Sequence, residues 1–127
     1  MEGCNVLLVD DEQEFASTLA ERLSLRGIRV RVANDGKEAL RRIAEEVPDV
    51  VILDLMMPGM NGFAVLNRIK TDYPDVRVLV LSGMGSTGDG VEGMRLGAFD
   101  YLMKPLNIDE LIQKVNDAMT KCPRKVD

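Results

Sequence analysis

Histidine and tryptophan do not occur in this chain of 127 residues, and aromatic side chains of any kind make up only 4% of it. The two cysteines, Cys4 and Cys122, lie near opposite ends with no metal-type spacing, which together with the missing histidine excludes a structural zinc site. Two free thiols in a reducing compartment is the simpler reading. No apolar run reaches the length of about 20 residues that a membrane span needs. Met1 leads into an acidic residue and then a strand-like run, so neither a signal peptide nor membrane insertion is expected, and the expected location is the cytoplasm. Basic residues are outnumbered, 16 against 21 acidic, and the resulting net charge of −5 argues against direct nucleic-acid binding, which ordinarily shows a basic patch or stripe. There is no internal repeat.

What is present is 46% hydrophobic and 29% charged, the balance of a globular chain whose length fits one domain with one core. The expected domain covers residues 1–121, and residues 122–127 read as a polar tail.

The stretch from Asp49 to Gly62, DVVILDLMMPGMNG, organises the rest. Val50, Val51, Ile52 and Leu53 form an unbroken, largely β-branched run too short for a helix and suited to a strand covered on both faces. Asp54 follows at once, and Pro58, Gly59, Asn61 and Gly62 then mark a turn. Asn5 to Val9 repeats the arrangement, an apolar run that ends in Asp10, Asp11 and Glu12.

Between and after these runs the pattern switches to helical spacing. Phe15, Leu19 and Leu23 recur at that period up to Gly27, and Ile28, Val30 and Val32 alternate with Arg29 and Arg31 as in a strand near a sheet edge. Ala39, Leu40, Ile43 and Val47 form the next stripe, closed by Pro48. Asn61 caps a helix whose core face is Phe63, Val65, Leu66 and Ile69. Val76 to Leu81 is a strand ending in Ser82. Thr87 to Leu96 has helical length but carries Gly88, Gly90 and Gly93, each costing about 1 kcal/mol relative to alanine, so its helical signal is weak. Asp100 to Met103 is a short strand, and Ile108 to Met119 is a clear amphipathic helix.

Strand and helix thus alternate five times. That pattern predicts an α/β fold of the doubly wound kind, a parallel five-stranded sheet with helices on both faces and the common strand order 2-1-3-4-5. Asp10, Asp11 and Asp54 then reach one sheet edge, where three carboxylates repel one another unless a cation sits among them. Mg²⁺, which favours oxygen ligands, is the natural ion. Ser82 and Lys104 arrive at the same edge. Together these groups offer a carboxylate to attack phosphorus, a metal to neutralise charge, and an ammonium and a hydroxyl for the equatorial oxygens. Taken singly each has a blander explanation: Asp10, Asp11 and Glu12 as the acidic start of a helix, Asp54 as a loop cap, Ser82 as a turn residue, Lys104 as a surface lysine. Their coincidence at four strand ends favours phosphoryl chemistry.

VDDE at Val9 to Glu12, LDLMMPGMNG at Leu53 to Gly62, LSG at Leu81 to Gly83 and GAFDYLMKP at Gly97 to Pro105 resemble, in that order and over nearly the whole chain, the receiver domain of two-component response regulators, CheY-like proteins. The resemblance implies a flavodoxin-like (βα)5 fold in which Asp54 accepts phosphate from the phosphohistidine of a histidine kinase or phosphotransfer protein. It implies Mg²⁺ held by Asp11 directly, by Asp10 largely through water, by Asp54 and by the Met56 carbonyl. Lys104 would contact the acyl phosphate, Ser82 would swing toward it, and Tyr101 would turn in response, with Pro105 at a cis junction. The face formed by the fourth helix, fifth strand and fifth helix would then control a downstream effector, and a homodimer on phosphorylation is open. Such a chain is a signalling phosphoacceptor rather than an enzyme, catalysing only its own phosphorylation and slow dephosphorylation. Met56 and Met84, two positions beyond Asp54 and Ser82, are expected to hinder water attack, and the glycine-rich fourth helix is expected to tighten on activation. Gly83 is expected to leave room for the phosphoryl group.

Three other readings compete. A haloacid-dehalogenase-type phosphatase normally has a second acid where this chain has Met56. A flavodoxin-type electron carrier needs flavin-stacking aromatics and Ser/Thr-rich phosphate turns. A receiver-like module that is never phosphorylated is possible in principle, although no expected active-site group is missing. With no output domain in the sequence, the chain is expected to act by docking or as a phosphate relay, unless it is a piece of a longer regulator.

Overall fold

The computed structural model describes residues 5–57, 59, 61–83 and 87–120. Cys4, Pro58, Met84, Gly85, Cys122 and the 121–127 tail lie outside the described residues. Five strands, β1 (Asn5–Val9), β2 (Arg29–Ala33), β3 (Val50–Asp54), β4 (Arg77–Ser82) and β5 (Asp100–Met103), alternate with five helices, α1 (Gln13–Ser24), α2 (Gly36–Glu45), α3 (Gly62–Asp72), α4 (Thr87–Arg95) and α5 (Ile108–Thr120). All pairings are parallel, in the order β2-β1-β3-β4-β5. The fold is therefore the flavodoxin-like one read from the sequence, with the Arg-interrupted β2 at an edge.

Because side chains alternate across a strand, the sheet divides its core in two. Val6, Leu8, Val50, Ile52, Leu79, Leu81 and Leu102 pack with α1 and α5 on one face. Leu7, Val9, Val51, Leu53, Val78 and Val80 pack with α2 and α3 on the other. β1 and β3 are buried at every residue, which is why their sequence reads as continuous rather than alternating apolar runs. Asn61 caps α3, its Oδ1 accepting from the Ala64 N–H at 3.2 Å. Gly97 turns the chain out of α4 at φ +107°, a region side-chain-bearing residues seldom adopt.

The weakly signalled helix forms. Two of its glycines serve packing: a Cβ at Gly93 would lie 3.0 Å from the Val80 side chain, and one at Gly90 would overlap the Tyr101 ring. α4 therefore sits closer to the β4–β5 surface than an alanine-rich helix could. Among the described residues no helix is long and apolar enough to cross a membrane.

Candidate functional site

The carboxyl edge of the sheet is assembled by ladder bonds that run one residue past the strands. The Asp10 N–H donates to the Ala33 carbonyl at 3.0 Å, Leu55 N–H to Leu81 at 2.9 Å, and Lys104 N–H to Ser82 at 2.9 Å. These bonds fix the backbone beneath Asp10, Asp54 and Lys104. The period of two does the rest: Asp10 continues the parity of Val6 and Leu8, Asp54 that of Val50 and Ile52, and Lys104 that of Leu102, so all three belong to the α1/α5 face.

Both aspartates are held in the same way. Asp10 Oδ1 accepts from the Glu12 N–H at 2.9 Å, and Asp54 Oδ1 accepts from the Met56 N–H at 2.8 Å. Each is a turn closed by a carboxylate on the amide two residues on, and each leaves Oδ2 for the site. Lys104 Nζ stands 3.0 Å from Asp54 Oδ2, 3.6 Å from Asp10 Oδ2 and 2.6 Å from Glu12 Oε1. It also lies 5.5 Å from the centre of the Phe15 ring, within reach of a cation–π attraction. The Lys104–Pro105 peptide is cis.

One ammonium among three carboxylates leaves the site negative. Asp10 is fully buried, and that desolvation is the main reason its pKa rises from 3.8 to about 6; the Glu12 N–H opposes it, the Asp54 charge adds to it, and Lys104 opposes it. Burial works against the Lys104 ammonium, but its hydrogen bonds to Glu12 and Asp54 and the charges of Asp54 and Asp10 prevail, and its pKa is raised.

Carboxylate oxygens of Asp10, Glu12 and Asp54 lie within 4.8 Å of one another. The donors are all oxygen, and Asp10 Oδ2 is buried with no hydrogen-bond partner among the described residues, so the residues present fit a hard divalent cation such as Mg²⁺. Asp11 is exposed and is not one of this trio.

Ser82 also reaches the edge, but its parity is that of Val78 and Val80, the face of α2 and α3. Its Oγ is buried and has no hydrogen-bond partner among the described residues. Tyr101 pairs with Val80 in the β4–β5 register and packs against the same core face, its half-buried ring on Gly90 of α4. The structure thus gathers Asp10, Asp54 and Lys104 on one side and places Ser82 and Tyr101 on the other. The Met56 side chain leans on Gly83, with Cε 3.2 Å from where a Cβ would be, so the space attributed to the phosphoryl group lies against a thioether.

Glu12 and Phe15 were not among the site residues read from sequence. Phe15 looked like part of a core stripe, and Glu12 like a helix-start acid; only the fold brings Lys104, 92 residues away, onto Glu12. Beside Lys104 a largely apolar groove of about 620 Å³ opens between α1 and the start of α5, lined by Phe15, Thr18, Pro105, Leu106 and Ile108 among others.

Residues 6–116 match the family model described as the response regulator receiver domain. The chain is 41% identical over 116 residues to a probable transcriptional regulator, ycf27, of Guillardia theta, covering 91% of this chain and 45% of that one. It is 42% identical over 110 residues to the transcriptional regulatory protein PrrA of Mycobacterium tuberculosis, covering 87% and 47%. It spans about half the length of these curated relatives. Among solved structures it resembles the receiver domain of NtrX from Brucella abortus, with a TM-score of 0.87, 35% identity, and coverage of 91% of this chain and 98% of that one.

Proposed function

Since the chain belongs to the response regulator receiver domain family of two-component systems, we propose that Asp54 accepts a phosphoryl group from the phosphohistidine of a kinase or phosphotransfer protein. The bond from phosphorus to the imidazole nitrogen breaks as a bond from phosphorus to an Asp54 oxygen forms. The observation that carries this reading is the placement of Asp54: a buried carboxylate fixed by the Met56 N–H, with the Lys104 ammonium 3.0 Å away and Asp10 beside it.

Asp10 and Asp54, with the Met56 carbonyl and Asp11 as further candidates, would hold Mg²⁺, while Glu12 is engaged by Lys104. When bound, the ion supplies neutralising charge for the phosphoryl oxygens. Lys104 orients and balances the transferred group, and its hydrogen bond to Asp54 keeps the ammonium where the charge will develop. No further substrate is turned over; the domain promotes only its own phosphorylation and dephosphorylation.

The switch follows from Ser82. A buried hydroxyl without a partner costs about 1–3 kcal/mol, and a phosphoryl oxygen on Asp54 would supply that partner if the β4–α4 connection moved inward. Tyr101, on the same face and packed on α4, would adjust with it. Val91, Met94 and Met103, exposed by 61%, 42% and 40%, make the α4–β5–α5 side apolar enough to receive an effector or a second receiver domain. The setting is the cytoplasm, and nucleic acid is reached only through an effector.

The test is incubation with acetyl phosphate and Mg²⁺ followed by intact mass measurement. The parent protein should gain one phosphoryl mass and Asp54→Ala none. Equal labelling of both proteins, or of neither, would remove the proposal.

A further inference from the structure

We propose that Glu12 is a clasp on Lys104 that competes with the incoming phosphoryl group, so that phosphorylation exchanges a Glu12–Lys104 pair for a phosphoryl–Lys104 pair. The inference rests on the reading of Asp54 as the acceptor.

Asp54 is 1% exposed although it lies at an open sheet edge. Lys104 Nζ lies against it at 3.0 Å, and the shortest contact of that nitrogen is to Glu12, at 2.6 Å. The Lys104 side chain is 22% exposed and that of Glu12 is 61% exposed, so the pair forms the outer layer over the acceptor. A donor must bring phosphorus to an Asp54 oxygen, and its own oxygens then need the ammonium hydrogens that Glu12 holds. Glu12 also places a third negative charge within 4.8 Å of the Asp10 and Asp54 oxygens, where an anionic donor has to enter. Both effects work against donor binding and neither acts on bond breaking itself. Glu12 is thus a positioning residue acting through Lys104.

The geometry also separates this role from metal ligation. With Glu12 committed to Lys104, the ion would depend on Asp10 and Asp54, and loss of Glu12 should alter its affinity only through a charge that the Lys104 ammonium already offsets.

The experiment compares the parent with Glu12→Gln, Glu12→Asp and Asp54→Ala. Initial phosphorylation rates are followed by intact mass over a range of acetyl phosphate concentrations at fixed Mg²⁺. Mg²⁺ affinity of the unphosphorylated proteins is read from the shift in thermal unfolding midpoint. An exposed ion pair is a weak restraint, so Glu12→Gln should lower the half-saturating donor concentration by about two- to fivefold and leave the maximal rate near the parent value. Glu12→Asp, shorter by one methylene and so with a longer, weaker contact to Lys104, should move part of the way toward Glu12→Gln if the clasp matters rather than the bare charge; parent-like behaviour of Glu12→Asp would overturn the clasp. An unchanged or raised half-saturating concentration in Glu12→Gln would overturn it as well. So would a loss of Mg²⁺ affinity of about tenfold or more, the size expected when a residue in or around a metal's coordination shell is removed. If the parent takes up no phosphate, or Asp54→Ala takes up as much as the parent, it is the assignment of Asp54 that fails; if only the parent is labelled, the Glu12 variants decide the clasp.

Discussion

Replacing Asp10 by asparagine should stabilise the metal-free protein near neutral pH, although it removes an acid from the site. Asp10 is fully buried, its Oδ2 has no hydrogen-bond partner among the described residues, and burial raises its pKa from 3.8 to about 6. The folded state therefore binds this proton more tightly than the unfolded state does. By linkage, stability attributable to Asp10 is fully present below about pH 4 and is lost as the pH rises through about 6. At 1.36 kcal/mol for each pKa unit, holding the carboxylate charged at neutral pH costs roughly 3 kcal/mol. Asparagine keeps an oxygen for the Glu12 N–H but brings an amide group that also needs partners, so the net gain should be about 1–2 kcal/mol. The assay is urea unfolding in EDTA at about pH 7.5 and about pH 4.5, repeated with saturating Mg²⁺. In EDTA at the higher pH, Asp10→Asn should unfold at higher urea than the parent, and the gap should shrink at the lower pH. Added Mg²⁺ should stabilise the parent more than the variant, because binding to the folded state alone raises stability with ligand concentration. A variant less stable than the parent in EDTA at about pH 7.5, or a gap independent of pH, would refute the argument.

The same titration should govern the metal, since ligation needs the ionised carboxylate: apparent Mg²⁺ affinity of the unphosphorylated protein should fall as the pH drops through about 6, and calorimetric titration showing equal affinity at about pH 5 and pH 7 would count against Asp10 as a participant. In α4, Gly88→Ala meets open space and should stabilise by up to about 1 kcal/mol, whereas Gly90→Ala should displace the Tyr101 ring, give no such gain and shift the Tyr101 ring resonances; equal stabilisation by both with unmoved resonances would contradict the packing described. Met56 is 53% exposed and lies against Gly83, so if its thioether hinders water attack, Met56→Asn, which puts a polar group in its place, should shorten the phosphorylated lifetime several-fold, read as the decay of the phosphorylated mass after the donor is removed; an unchanged or longer lifetime would show that Met56 is no barrier.

Most of the architecture was legible because it depends on patterns that the chain carries locally. The continuous apolar runs at Val6 to Val9 and Val50 to Leu53 mark strands covered on both faces, and the arginines interleaved at Arg29 and Arg31 mark the edge. α4 was the hardest element to read, since propensity weighs its glycines against a helix, while their use, room for Tyr101 and Val80, depends on residues in other elements. The site shows the same division. Asp10, Asp54 and Lys104 follow from strand ends and pleat parity. That Glu12 joins Asp10 and Asp54 depends on how the chain turns after Asp10, and on a lysine that approaches from β5. Ser82 reaches the predicted edge, yet its hydroxyl belongs to the other face of the sheet, a distinction of one residue that period-two reasoning resolves only once the strand boundary is fixed.

The most direct measurement locates the phosphoryl group itself. An acyl phosphate is reduced by borohydride to the alcohol, so protein treated with acetyl phosphate and Mg²⁺ and then reduced would carry homoserine at the acceptor position, identifiable by peptide mass mapping. Homoserine at position 54 and at no other aspartate, formed only when the divalent ion is present, is the predicted result. Homoserine at Asp10 or Asp11, or no reducible linkage in a protein that has gained phosphate, would contradict the account.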